Sequence, residues 1–530
     1  MATEPEGGDR VRAAELIAAL CLATDLGMAL PFEHGLHRTL VAMRLANALG
    51  VDRQVASDTY YACLLAHAGC TTEAHVVADV FGGSLTETFG PVMYGSELDV
   101  LRGLLRTLPD PRSPALVRAA QTARRAPRMI REQRPALGAV CEVAGMLAER
   151  VGAPSSVPGL LDHLTERWDG KGPLRRAKGV EIPLPMRILH VATDAALQRL
   201  LGGAGHAVTL VCERAGHAFD PDIAGCLAAH AAEILSLEDN VSALDEVLAL
   251  EPHPPRILEA DALDRALVGM ASFADLISPF LVGHSAGVAE LAASAARGCG
   301  IEAMGVESIR RAGLLHDLGR VAVHPRIWQK PGPLTADEWE QVRLHPYQTE
   351  RVLSRSRFLS AISPIAGAHH ERLDGSGYHR GAAGPELGFP ARLLAAADAY
   401  HAMTEARPFR EAHPAERAAE ILAAEAGAGR LDADAVAAVL DAAGQRAPRL
   451  ERPAGLTERE VQVIAMLARG LQTKQVARSL GISAKTADRH IQNAYRKIGV
   501  SSRAAAALFA MEHGLVAWGE LPIARAAARS

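Results

Sequence analysis

AGLLHDLGR, residues 312–320, sets a histidine and an aspartate side by side, His316 and Asp317, in a run that otherwise reads as apolar helix. Leu314, Leu315 and Leu318 call for burial, and burying two polar side chains beside them without partners is costly. A shared metal ion removes that cost, because imidazole and carboxylate are ligands for hard and borderline divalent ions. Working outward, the same residue types recur at His284, at His345, at the pair His369-His370 and at Asp398. One histidine in a helix means little in a chain with 21 of them. Seven such residues between 284 and 398 point to a metal centre.

The blocks carrying these residues are GHSAGVAELA around His284, residues 312–346, HHERLDGSGYHRG (369–381), PARLLAAADAYHAM and EARPFR. Together they resemble an HD-GYP domain, the subgroup of HD metal-dependent phosphohydrolases that hydrolyse cyclic di-GMP. The likeness covers roughly residues 270–445. It implies metal ligands at His284, His316, Asp317, His345, His369, His370 and Asp398, with two divalent transition-metal ions, iron or manganese, between them. Three positions depart from the family pattern. His379 stands where the naming motif expects proline, Arg320 where a lysine follows the His-Asp pair, and Phe280 where some members place a glutamate for a third metal. In such a site Asp317 would bridge the ions, and two metals together activate water and polarise a phosphoryl oxygen. Asp317 and Arg320 are the expected catalytic residues. Arg320, Arg407 and Arg410 are candidates for gripping phosphate oxygens, since guanidinium forks match that geometry. Tyr378 would lie against the nucleotide.

At the other end, residues 456–515 hold three apolar helical stretches punctuated by Gly470 and Gly481. Ser483 is placed to cap a helix starting at Ala484. That helix presents Lys485, Thr486, Arg489, His490, Asn493, Arg496 and Lys497 on its polar side, with Lys474 on the helix before it. Nine basic residues against four acidic ones make this piece cationic within a chain of net charge −5. The segment resembles a LuxR-type helix-turn-helix DNA-binding domain. The expected contact set is Lys474, Lys485, Thr486, Arg489, His490, Asn493 and Lys497. A homodimer on a two-fold operator is the implied assembly.

Residues 1–250 read as a worn second copy of the metal-binding module. LHRTLVAMRLANALGVD around His37 parallels the stretch around His284, and ACLLAHAGC (62–70) parallels AGLLHDLGR. LTERWDGKG has Leu164-Thr165 where the other copy has His369-His370, and the aspartate of its last helix slips by one position to Asp194. Remnants such as Glu33, His37 and His67 could bind an ion. Too few ligands remain for a dinuclear site, so a scaffold or ligand sensor is the expectation.

The fold expectation is all-α: tandem HD-domain helical bundles at 1–250 and 256–445, then a four-helix LuxR-type domain at 454–517. A 530-residue chain exceeds one core, and LEPHPP (250–255) and AGQRAPRLERP (443–453) are natural linkers. Seven scattered cysteines read as reduced thiols. The acidic start MATEPEGGDR lacks a signal pattern, and no apolar run reaches the ~20 residues of a membrane span. A cytoplasmic regulator is expected that hydrolyses a cyclic dinucleotide and binds DNA. The alternatives are a transcription factor whose HD modules only sense a nucleotide, and a hydrolase of another phosphate ester.

Overall fold

The computed structural model describes residues 10–70, 90–110, 113–236, 242–445, 453–468, 471–500, 506, 509–510 and 515. Apart from two three-residue strands, the elements among them are helices, as the all-α expectation requires. The chain divides into two compact units. One comprises residues 1–279 with 318–328 and 351–360, and the other 280–317, 329–350 and 361–530. Residues 256–279, 318–328 and 351–360 of the expected second bundle thus group with the first unit.

The first unit contains β1 (Arg10–Arg12), α1 (Ala13–Gly27), α2 (His34–Ala48), α3 (Arg53–Leu65), α4 (Glu97–Thr107), α5 (Ala115–Arg150), α6 (Leu184–Arg214), α7 (Pro221–Ala229), β2 (Ile257–Glu259) and α8 (Ala260–Asp275). A helix apolar on nearly every side belongs inside, and α1 lies there with Leu16, Ile17, Leu20 and Leu22 fully buried. Its one early acid, Glu15, accepts hydrogen bonds from Ser356 Oγ at 2.6 Å and from the Phe358 N–H at 2.9 Å. Arg351 lies 3.9 Å over the Phe32 ring. These contacts hold segment 351–360 within this unit. The strands β1 and β2 precede α1 and α8, and they pair antiparallel as Arg10↔Glu259, Val11↔Leu258 and Arg12↔Ile257.

The second unit contains α9 (His284–Gly298), α10 (Ala303–Leu315), α11 (Ala336–Arg343), the start of α12 (His345–Leu353), α13 (Ser363–Ala366), α14 (Phe389–Thr404), α15 (Ala415–Gly427) and α16 (Ala433–Ala442). Small residues line α9, where Ala289, Ala292, Ala293 and Ala296 are fully buried. At Gly313 of α10 an added Cβ would lie 2.7 Å from the Ala289 Cα, so only glycine lets the two backbones meet there.

The C-terminal segment supplies α17 (Glu458–Ala468), α18 (Thr473–Ser479) and α19 (Ala484–Ile498) around a core that includes Val463, Ile464, Val476, Ala487, Ile491 and Ala494. The Ser483 hydroxyl accepts from the Thr486 N–H at 3.1 Å, the cap read from the sequence. The expected fourth helix falls mostly outside the described residues.

Two helices in each unit begin alike. α2 starts at His34 after the left-handed Glu33 (φ 76°), and α9 starts at His284 after the left-handed Gly283 (φ 85°). Counting from these histidines, α3 and α10 begin at the same distance. His34, and not His37, is therefore the counterpart of His284.

Candidate metal centre

Four buried imidazoles converge on one buried carboxylate. Asp317 Oδ2 lies 2.9 Å from His316 Nε2 and 3.5 Å from His284 Nε2. Its Oδ1 lies 3.2 Å from His345 Nε2 and 3.4 Å from His369 Nε2. Asp398 Oδ1 lies 3.1 Å from His284 Nε2 and 3.6 Å from His316 Nε2, and its Oδ2 lies 3.7 Å from His370 Nδ1. His370 stands with His345 and His369 on the second. All five residues that meet at Asp317 and Asp398 from these sides, except His370, are nearly or completely excluded from solvent.

Local structure dictates these orientations. His316, His345 and His369 each follow the last turn of a helix, where main-chain carbonyls lack an intrahelical partner. Each donates its Nδ1–H to the carbonyl three residues back: Gly313 at 2.6 Å, Val342 at 2.7 Å and Ala366 at 2.6 Å. Holding the proton on Nδ1 leaves the Nε2 lone pair facing the cluster, the tautomer a metal ligand needs. His284 opens a helix and takes a different acceptor, Glu405 Oε2 at 2.8 Å from its Nδ1.

The donor set fits divalent ions. His316 Nε2 and His370 Nδ1 are buried and make no aligned hydrogen bond among the described residues. Burial would lower the His316 imidazole, yet the Asp317 and Asp398 carboxylates outweigh it and raise its pKa to about 10. His370 goes the other way, held well below the usual histidine range by burial and by the neighbouring His369. Burial also favours neutral Asp398, but the hydrogen bond from His284 and the nearby His316 and His370 imidazoles hold its carboxyl well below the usual range. Two buried carboxylates on one side thus demand positive charge, and neutral imidazoles face the other.

The remaining expected residues are placed as follows. Tyr378 stacks on His370, ring centroids 4.2 Å apart, with Trp339 edge-on at 5.6 Å. Arg407 donates to Glu405 Oε2 at 2.9 Å and to the Phe280 carbonyl. Arg410 spends its donors on the carbonyls of Ala402, Met403, Glu405 and Glu411, which staples the loop after α14. Arg320 lies in the segment grouped with the first unit, buried, with its guanidinium 5.4 Å over the Trp328 ring. His379 rests against Tyr347, ring centroids 5.8 Å apart. Glu405 and His401 were not read from the sequence as site residues, although both lie in quoted blocks.

In the first unit the corresponding positions are differently filled. Arg38, one turn after His34 and 1% exposed, donates to the Cys63 carbonyl at 2.7 Å and lies 3.0 Å from His67 Nδ1. Asp194 pairs with Arg214 and accepts from Gln198 at 3.1 Å. The three groups of metal-competent side chains found among the described residues all lie between His284 and Glu405.

On α19, Lys485, Thr486 and Arg489 are exposed, with Asn493 and His490 half-buried beside them, and Lys474 is exposed on α18. Lys497 is already engaged, its ammonium 2.6 Å from Glu460 and 3.0 Å from the Gly455 carbonyl.

Comparison with known proteins agrees with this arrangement. An HD domain family matches residues 270–435, and the luxR family of bacterial regulatory proteins matches residues 454–510. A 3'3'-cGAMP-specific phosphodiesterase of Vibrio cholerae serotype O1 is 27% identical over 77% of this chain and 90% of its own length. A cyclic di-GMP phosphodiesterase response regulator of Xanthomonas campestris pv. campestris is 40% identical over 23% of this chain and 33% of its own. The crystal structure of a cyclic GMP-AMP-specific phosphodiesterase of V. cholerae shares the fold, with a TM-score of 0.58 at 24% identity over 82% of this chain and 98% of that one. The chain thus carries an HD domain followed by a luxR-family regulatory domain, and its relatives are cyclic di-GMP and cGAMP phosphodiesterases.

Proposed function

We propose that residues 256–445 hydrolyse a cyclic dinucleotide at a dinuclear metal site and that residues 454–517 bind DNA to regulate transcription. The observation that carries the first half is the division of Asp317, whose two oxygens face two separate sets of nitrogen ligands. In this reading His284, His316, Asp398 and Asp317 Oδ2 hold one ion, while His345, His369, His370 and Asp317 Oδ1 hold the other. Two divalent ions, iron or manganese, would supply a nucleophile at neutral pH and polarise a phosphoryl oxygen. The chain's own residues do the rest. Carbonyl-anchored imidazoles keep their lone pairs aimed inward, so no reorganisation is needed when ligands bind. Tyr378, stacked on His370, offers an aromatic face to a base or sugar at the edge of the second set. Arg407, tied to Glu405 beside His284, brings a guanidinium near the first.

The first copy, where the Arg38 guanidinium lies beside His67 at the position that matches Asp317, is read as scaffold or sensor. Lys474, Lys485, Thr486, Arg489, His490 and Asn493 form the DNA face, with two copies on a two-fold operator. Lys497 belongs to the domain's internal bracing in this reading.

Incubating full-length, metal-loaded protein with cyclic di-GMP and with 3'3'-cGAMP, and resolving products by chromatography, tests the enzymatic claim. Linear dinucleotide or mononucleotide is the expected product. Tight binding of either nucleotide without turnover would replace the enzyme by a sensor.

A further inference from the structure

Three of the four converging imidazoles are oriented by the main chain, and one is not. His316, His345 and His369 use the free carbonyls at helix C-termini. A point substitution cannot remove those acceptors. His284, the first residue of α9, turns its Nδ1 elsewhere. The acceptor comes instead from Glu405, just past the C-terminal end of α14 and distant in sequence.

Glu405 is itself held. Arg407 donates to the same Oε2 at 2.9 Å and also to the Phe280 carbonyl, next to the turn that leads into α9. On the other side of the carboxylate, His401 Nδ1 stands 3.5 Å from Oε1 and 3.3 Å from His284 Nδ1. His401 fits there because residue 287 is glycine, where an added Cβ would fall 1.9 Å from the His401 Nε2. Three residues, Glu405, His401 and Arg407, therefore converge on the outer nitrogen of one imidazole.

We propose that Glu405 is the positioning residue of the His284 side of the centre: its carboxylate fixes the Nδ1–H tautomer, aims Nε2 at Asp317 and Asp398, and raises the basicity of that ligand. Arg407 and His401 hold Glu405 in place. This rests on the dinuclear reading above, and it makes the two ion positions unequal. On the one side His345 and His369 are oriented by backbone carbonyls, whereas on the other His284 depends on a replaceable side chain. Loss of an orienting carboxylate of this kind weakens metal affinity by about 10–100-fold.

The test is a manganese titration of metal-stripped full-length protein, with helix content followed by circular dichroism. Wild type takes up two ions. Glu405→Ala retains one with unchanged affinity and binds the other about 10–100-fold more weakly, and Glu405→Gln, which keeps an acceptor but no charge, falls between. His345→Ala weakens the opposite ion. Two ions in wild type with both affinities unchanged in folded Glu405→Ala would overturn the proposal alone. Equal weakening of both ions in that variant would also overturn it, since the effect would then not be confined to His284. No uptake by wild type would remove the dinuclear reading and this inference with it.

Discussion

In the proposed centre Asp317 would matter most, because its two oxygens face different imidazoles. His67 holds the corresponding position in the first copy, and there the side chain faces a guanidinium. If the first copy is scaffold or sensor, His67→Ala leaves turnover nearly intact while His345→Ala abolishes it. Steady-state hydrolysis by the two variants decides the matter, and comparable losses would assign the first copy a share in catalysis. At this scale, much of the site was legible from sequence. Ligand chemistry admits few residue types, so residue type together with the family resemblance named His284, His316, Asp317, His345, His369, His370 and Asp398, which the structure brings together. Glu405 was not named. An orienting acceptor has no required spacing from its histidine, and three of the four acceptors are main-chain carbonyls that leave no mark in a sequence. His34 was missed for a related reason: the left-handed turn before it is carried by glutamate in one copy and by glycine in the other.

Elements followed the sequence more closely. The run GLLHDLG ends α10 and delivers His316 and Asp317 at its C-terminus, and Gly313 both lets α9 approach and offers its carbonyl to His316. Ser483 capped α19 where the hydroxyl was expected. Strands β1 and β2 were not legible, because three residues carry no alternation and each strand's partner lies in the other half of the chain. The exposed face of α19 leads to a prediction at the same scale. Arg489, if it reads a base edge from the major groove, loses about 1–3 kcal/mol of specific binding when replaced by alanine and relaxes preference at one base pair. Fluorescence anisotropy on operator and scrambled duplexes at two salt concentrations measures both effects. An Arg489→Ala loss that is equal on both duplexes, with a flatter salt dependence, would make the residue a phosphate contact instead.

For the whole molecule, the sequence indicated an HD module, a regulatory DNA-binding module and a worn repeat, but not which pieces pack together. Segments 318–328 and 351–360 belong with the first unit, and their apolar and charged residues look no different from the chain on either side of them. Among the described residues no helix is long and apolar enough to cross a membrane. A chain of this organisation can couple nucleotide turnover to transcription only if the HD module binds its metals, and that requirement reduces to Asp317. Elemental analysis of purified full-length protein beside Asp317→Ala, both checked for wild-type helix content, tests it directly. The account predicts close to two transition-metal ions per chain in wild type and close to none in the variant. A single ion in wild type, or two ions kept in Asp317→Ala, would contradict it.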